Sequence, residues 1–494
     1  MSDTSVFPDP TYRETVLAPL FEGVKTHYAA QMATINKAHL VMLVETGILD
    51  AETGGKIARA LKDIDETVDI EALSYTGEHE DYFFLVEAGL GERLGDIGGA
   101  LHTARSRNDM DHTLFKMALR LRAENLLRQV TTLTAALIDK AKAEAATLIV
   151  AYTHGQPAQP TTFGHYLAAI IEGLNRDATR LNAAIDGLGH CPMGAAAITT
   201  SGFEIDRHRM ASLLGFEDIS LNSYGCIASV DYITGLYSAV KLVFLHLGRV
   251  VQDMAFWSSF EVDQLYVPNA LVQVSSIMPQ KRNPVPIEHM RHLASVTVGR
   301  CDMMVNTMHN TPFTDMNDSE GEVQQAGYQV FESGGRMLAL LTAFLPACSI
   351  NAKAVRRNTD SACITITELA DTLVREEGLT FRQAHEVAAH TAKAVIAEAH
   401  PLAEGYAAFS AAFLAQTKRA TALSEAQFRL TVTAETFIAR RDRPGGPAKP
   451  ALDDALVHYV EALADIEAKS RRRTARISAA QSDLTTAFIP LLES

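Results

Sequence analysis

Tryptophan and cysteine are scarce in this chain, with one Trp and five Cys in 494 residues. The cysteines (Cys191, Cys226, Cys301, Cys348 and Cys363) are odd in number and show no CxxC spacing, which argues against a disulfide framework or a thiolate zinc site and leaves them as packing residues. Positive charge is short as well. Lys and Arg total 44 against 59 Asp and Glu, a net charge of −15, and so acidic a chain repels nucleic acid and anionic membranes unless it builds a large basic face. The run KSRRRTAR at 469–476 reads instead as a solvated helix face. No apolar run reaches the ~18 residues that cross a bilayer, and the opening MSDTSVFPDPTYRETV lacks the basic and apolar regions of a secretion signal. The expected address is the cytoplasm, and the expected partners are small molecules rather than nucleic acid or membrane. An anionic substrate would require local positive sites set against the global charge.

Sustained period-two alternation is also missing, which excludes an extensive sheet. Helical periodicity takes its place. Ile233, Val240, Leu247 and Met254 fall seven apart, and Leu236, Val243 and Val250 fill the second set of a heptad, giving an apolar seam that Tyr237, Phe244 and Val251 widen. This pattern predicts a helix at the centre of a bundle. A second helix is expected over about 111–147, a third from near Thr162, a fourth after Pro286 and a fifth near Glu320. The fold class is therefore all-α, in three domains: 1–112, a central long-helix bundle over 113–363, and 364–494.

Three polar segments interrupt these helices: GGALHTARSRNDMDHT (98–113), YTHGQPAQPTTFGH (152–165) and VSSIMPQKRNP (274–284). The first offers Thr103, Arg105, Ser106, Arg107 and Asn108 ahead of a helix, where free N–H groups and the dipole favour an anion. An ordinary capped helix start would look the same. Thr153 and His154 in the second are by themselves weak, since a lone histidine at a boundary is more often a cap. The third is more pointed. Ser275, Ser276, Lys281 and Asn283, with Glu288 at the next helix start, bring a hydroxyl, a cation, an amide and a carboxylate into one Pro-restrained loop. The glycines of a phosphate-binding loop and the G-x-S-x-G elbow of a hydrolase are both absent. No metal or other cofactor is expected, because the acidic residues form no group with ligand spacing in sequence.

Together the three segments resemble the fumarase/aspartase superfamily, whose signature loop reads approximately GSSxMPxKxN. VSSIMPQKRNP differs from it in carrying Val274 for the glycine. Within the superfamily, HTARSRND, YTHGQPAQP and GGPAKPAL resemble the argininosuccinate lyase branch. The resemblance implies a homotetramer with a twenty-helix core, each active site drawing its three loops from three chains. It also implies reversible elimination of fumarate from an N-substituted aspartate through an aci-carboxylate. Carried over by motif position, Ser275 is the general base, with Lys281 and loop N–H groups stabilising its alkoxide. Lys281 and Asn283 would hold the succinyl carboxylates with Ser106, Asn108 and Thr153, and Arg107, Ser276 and Met278 would add substrate contacts. His154, paired with Glu288, would orient the substrate or assist proton delivery to the amine.

At the amine end the resemblance departs from argininosuccinate lyase proper. HNTPFTDMNDSEGE places Pro312, Asn317 and Glu320 where that branch uses Tyr, Gln and Lys, so a glutamate stands in place of a cation. The implied substrate is an N-substituted aspartate with another amine, an aminopolycarboxylate such as ethylenediamine-N,N'-disuccinate (EDDS) leading. Argininosuccinate cleavage is one alternative, and a non-catalytic crystallin-like protein is another.

Overall fold

The computed structural model describes residues 7–494, so residues 1–6 of the N-terminal stretch discussed above lie outside it. Helices α1 (Ala29–Glu45), α2 (Ala51–Thr67) and α3 (Tyr82–Leu94) lead into five long ones: α4 (Arg107–Ala143), α5 (Phe163–Asp186), α6 (Asp231–Trp257), α7 (Val285–Thr307) and α8 (Gly321–Ala347). The five close a ring, α4 on α5, α5 on α6, α6 on α7, α7 on α8 and α8 back on α4. Four two-stranded ladders are the only sheets among the described residues, so the chain is all-α as expected.

The heptad seam sits inside the ring. Ile233, Leu236, Tyr237, Val240, Val243, Phe244, Leu247 and Met254 are buried, while Leu245 on the opposite side of α6 is exposed. By length and composition α6 could cross a membrane; in this fold its apolar stripe is covered by α5 and α7. Close approach of the helices requires small residues where they cross. A Cβ on Gly334 of α8 would stand 2.5 Å from the Phe244 ring, which is inside van der Waals contact.

The helix starts follow local chemistry. α4 begins at Arg107, ahead of the expected 111, because Ser106 is its N-cap in a capping box with Asp109. The Thr162 hydroxyl accepts the His165 N–H at 3.1 Å and starts α5. Where a bare loop was expected between α4 and α5, a hairpin forms from β1 (Leu148–Thr153) and β2 (Gln156–Thr162). His154 and Gly155 make its two-residue turn, both with positive φ, 54° and 73°, the pairing that matches the twist of the flanking strands. Pro157 and Pro160 are tolerated because a two-stranded ribbon leaves outer edges where a missing donor costs little. On β1 that edge is closed by the buried Gln264 amide, which accepts the Val150 N–H at 2.9 Å and donates to its carbonyl at 3.3 Å.

A separate apolar core joins α9 (Ile366–Glu377), α10 (Phe381–Ala397), α11 (Tyr406–Thr417) and α12 (Glu425–Thr431), with the Phe409 and Phe428 rings stacked 5.0 Å apart. The last helix, α13 (Lys449–Glu493), returns to the main core against α1, α2, α4 and α5. Here the solvated reading of KSRRRTAR fails for one residue. Arg473 is buried and donates to Glu124, to Asp186 at 2.8 Å and to Asn182 at 2.6 Å, while Arg471 and Arg472 stay exposed. Removing one member of such a network strands the other charges. Arg473→Ala should therefore cost about 3–5 kcal/mol in urea unfolding, against within about 0.5 kcal/mol for Arg471→Ala.

Candidate active site

Ser106, Arg107 and Asn108 form the first turn of α4 and its cap. The Ser106 hydroxyl donates to Asn108 Oδ1 at 2.8 Å, and Asn108 Nδ2 donates to Asp315 Oδ2 at 2.5 Å, so this corner meets the connection between α7 and α8. Beneath it, the buried Asp109 carboxylate accepts N–H bonds from Ser106 and Gly194 at 2.9 Å and from Ala196 at 3.0 Å. Arg107, expected to touch substrate, is engaged within the chain: it donates to Asp81 at 2.7 Å and Glu80 at 3.2 Å and lies over the Phe84 ring. Arg105 is buried against Asn36 and Phe83.

The hairpin turn presents Thr153 and His154 to solvent. The signature segment is a second small hairpin, β3 (Gln273–Val274) paired with β4 (Arg282–Asn283), whose loop 275–281 projects outward. Its base is pinned by Arg282, which donates to the Val267 carbonyl at 2.7 Å and stacks over Tyr266. The half-buried Ser275 Oγ accepts the Met278 N–H at 3.0 Å and the Ile277 N–H at 3.4 Å. Ser276, Met278, Lys281 and Glu288 are exposed, and Asn283 is half-buried in β4. Among the described residues, no hydrogen bond or ion pair joins any two of the three segments 102–112, 152–165 and 274–288, and none joins His154 to Glu288.

What the structure does bring together is a group that no spacing announced. His112 and Asp111 on α4 meet Asp315 and Glu320 from the α7–α8 connection, with Tyr232 of α6 behind. His112 Nε2, Asp315 and Glu320 present donor atoms all within 4.8 Å of one another, which corrects the expectation that the acidic residues gather nowhere with ligand spacing. His112 is fully buried; its Nδ1 lies 3.1 Å from the Tyr232 hydroxyl, and its Nε2 has no partner. Burial, then Lys116, lowers its pKa to about 4, so the ring is neutral. Burial, then Asp111 and Asp315, pushes the Glu320 carboxyl up to about 9, and burial, then Asp81, pushes Asp111 up to about 7. Of the residues expected at the amine end, Glu320 lies in this pocket, while Pro312 and Asn317 are exposed. Phe313 stacks on Tyr224 with centroids 5.9 Å apart, and the Tyr224 hydroxyl donates to the Phe313 carbonyl.

Comparison with known proteins identifies the family. Residues 18–299 match the lyase family model, and residues 363–436 match that of the argininosuccinate lyase C-terminal region. The chain belongs to the argininosuccinate lyase branch of the fumarase/aspartase superfamily. It is similar to argininosuccinate lyase 2 of Agrobacterium fabrum, 57% identical over 99% of this chain and 98% of that one. Argininosuccinate lyase 1 of Shouchella clausii is 34% identical over 77% of each chain. Among solved structures, EDDS lyase in complex with formate matches with a TM-score of 0.85 at 26% identity, covering 98% of this chain and 99% of that one. As a member of this branch the chain is a carbon–nitrogen lyase of the fumarate-releasing type.

The raised Glu320 carboxyl has a consequence for stability. It keeps its proton to about pH 9 when folded, against an ordinary value of 4.5, so between those limits the folded state binds more protons than the unfolded one. Stability therefore falls as pH rises through that window. Glu320→Gln should flatten the decline, and melting temperatures at pH 5 and pH 9 should show the variant gaining on the parent at the higher pH.

Proposed function

We propose that the substrate is an N-substituted aspartate, that Ser275 is the base, and that the amine released with fumarate is not arginine. Ser275 Oγ takes the proton beside the succinyl carboxylate, and the carbanion is held as an aci-carboxylate. The C–N bond then breaks, its electron pair goes to nitrogen, and the nitrogen takes a proton delivered through His154 as the amine leaves. The observation that carries this reading is the pair of N–H groups of Ile277 and Met278 aimed at Ser275 Oγ, donors that favour negative charge on that oxygen. Lys281 on the same loop adds a cation. Asn283, Ser106, Asn108 and Thr153 complete the carboxylate contacts, and His154 with Glu288 serves the leaving amine.

Such an alkoxide requires a dry site, yet the loop stands open in a single chain, with Val274 72% and Ile277 82% exposed. The three segments are also unconnected within it. Both facts support a homotetramer with a twenty-helix core, in which loops of three copies meet and the exposed side of α6 is covered. The cytoplasm is the compartment that suits its reduced cysteines. The acidic pocket of Asp111, Asp315 and Glu320 supports a cationic nitrogen at the amine end, and EDDS, whose second nitrogen is cationic, is the leading aminopolycarboxylate. Argininosuccinate is the second reading, favoured by the name of the Agrobacterium fabrum relative.

Fumarate absorbs in the ultraviolet, so release can be followed directly. EDDS should be cleaved faster than argininosuccinate; efficient cleavage of argininosuccinate alone would restore the second reading. Ser275→Ala should leave less than a few per cent of activity with the melting temperature nearly unchanged, since the residue lies outside the core. Inactive His154→Asn and Ser275→Ala proteins, mixed under conditions of subunit exchange, should regain activity because some mixed tetramers hold a site with every loop intact. Confirmed exchange without recovery would place each site within one chain.

A further inference from the structure

Just ahead of the α4 cap the chain passes through a conformation it does not favour. Ala104 has a φ of 60°, the left-handed region in which a Cβ crowds the following carbonyl. Both of its neighbours are held from one helix. His39 Nε2 lies 2.9 Å from the Thr103 carbonyl, and Arg105 Nη1 donates to Asn36 Oδ1 at 2.7 Å. Asn36 and His39 stand three residues apart on α1, so they project from the same face of it, and both are buried. The helix thus grips the chain on either side of the strained residue. Immediately after Arg105, Ser106 caps α4 and its hydroxyl donates to Asn108.

The chemistry of the grip is fixed by its partners. A carbonyl only accepts, so His39 carries its hydrogen on Nε2 and keeps a lone pair on Nδ1. Burial, then Arg105, lowers the His39 pKa to about 3, and the ring stays neutral in any ordinary buffer. The arrangement is also costly. His39 Nδ1, an acceptor, and Arg105 Nε, a donor, are buried without partners, and the Arg105 side chain meets its counter-charge Glu87 only at 3.9 Å. Unpaired buried polar atoms and a left-handed alanine each lower stability, and such costs gather where a site needs a set geometry.

We infer that Asn36 and His39 are positioning residues for the lyase site: by gripping Arg105 and Thr103 they hold Ala104 left-handed and so set where Ser106 and Asn108 meet the substrate. The inference rests on the reading in which Ser106 and Asn108 hold the succinyl carboxylates. The two α1 residues act through the loop and not on the substrate. Without the grip Ala104 relaxes to negative φ, which turns the chain directly before the cap and displaces both side chains.

Glutamine and asparagine at position 39 separate this role from packing. The amide nitrogen of Gln reaches the place of Nε2, whereas that of Asn reaches only the place of Nδ1. Fumarate binding to the full-length enzyme, measured by calorimetry, should weaken at least about tenfold in His39→Asn and stay within about threefold of the parent in His39→Gln. The kcat/KM for elimination should follow the same order. Adding Ala104→Gly to His39→Asn should recover at least about threefold of the lost affinity, because glycine takes positive φ without strain. Should His39→Asn fail to fold by its melting curve, Asn36→Ala against Asn36→Asp gives the same contrast from the other side of Ala104, since Asp keeps the acceptor for Arg105. Variants of a pair that bind fumarate alike overturn the inference, and so does a glycine that recovers nothing. Asn108→Ala tests the underlying reading by itself. If it leaves fumarate affinity unchanged, the succinyl assignment falls alone, and the contrast at position 39 in the same titration still decides the grip.

Discussion

One buried carboxylate holds the active corner together. Asp109 accepts the N–H groups of Ser106, Gly194 and Ala196, so it caps the longest helix of the ring and clamps the loop after Cys191 in a single contact. That loop carries Ala196, Ala197 and Thr200 at positive φ, conformations that cost free energy for residues other than glycine and persist only when the surroundings over-determine them. Ser106 and Asn108 inherit their positions from this clamp, and the Asn108–Asp315 bond extends it to the connection before α8. Three backbone donors on one carboxylate fix its direction far better than a surface pair would.

Charge is distributed to the same end. The chain is strongly acidic, and the cations of the first segment are engaged inside it, Arg107 by Glu80 and Asp81 and the buried Arg105 by Asn36 with Glu87 3.9 Å away. Lys281 is different, exposed on a projecting loop. The exposed cation of that loop and the acidic group of Asp111, Asp315 and Glu320 are thus kept apart within one chain.

Sequence patterns carried the ring well, for a physical reason. A helix buried along one face must repeat its apolar residues, and the heptad from Ile233 to Met254 is that repeat; the starts of α5, α7 and α8 were marked by Thr162, Pro286 and Glu320. Apolar periodicity alone starts α4 at 111, while the cap Ser106–Asp109 sits a turn earlier. The hairpin was hidden because Pro157 and Pro160 suppress strand propensity in a ribbon whose outer edges do not need their donors. Arg473 was read as solvated since nothing in a basic run says which member turns inward to Glu124. The motif residues of the three segments were visible by resemblance, but the pocket of His112, Asp315 and Glu320 was not. Its members come from different helix ends, and only the closing of the ring makes them neighbours.

The stack of Phe313 on Tyr224 anchors an otherwise exposed stretch of chain. It fastens the connection between α7 and α8 to the short helix Ser223–Ala228 through one aromatic stack and one hydrogen bond, while Pro312, Asn317 and Asp318 are exposed. The same connection is tied to α4 further along by the Asn108–Asp315 bond, so the exposed residues around these two anchors can change in number and charge while the ring stays as it is. Variation is in that sense confined to a surface connection, as is usual where loops are carried on a rigid scaffold.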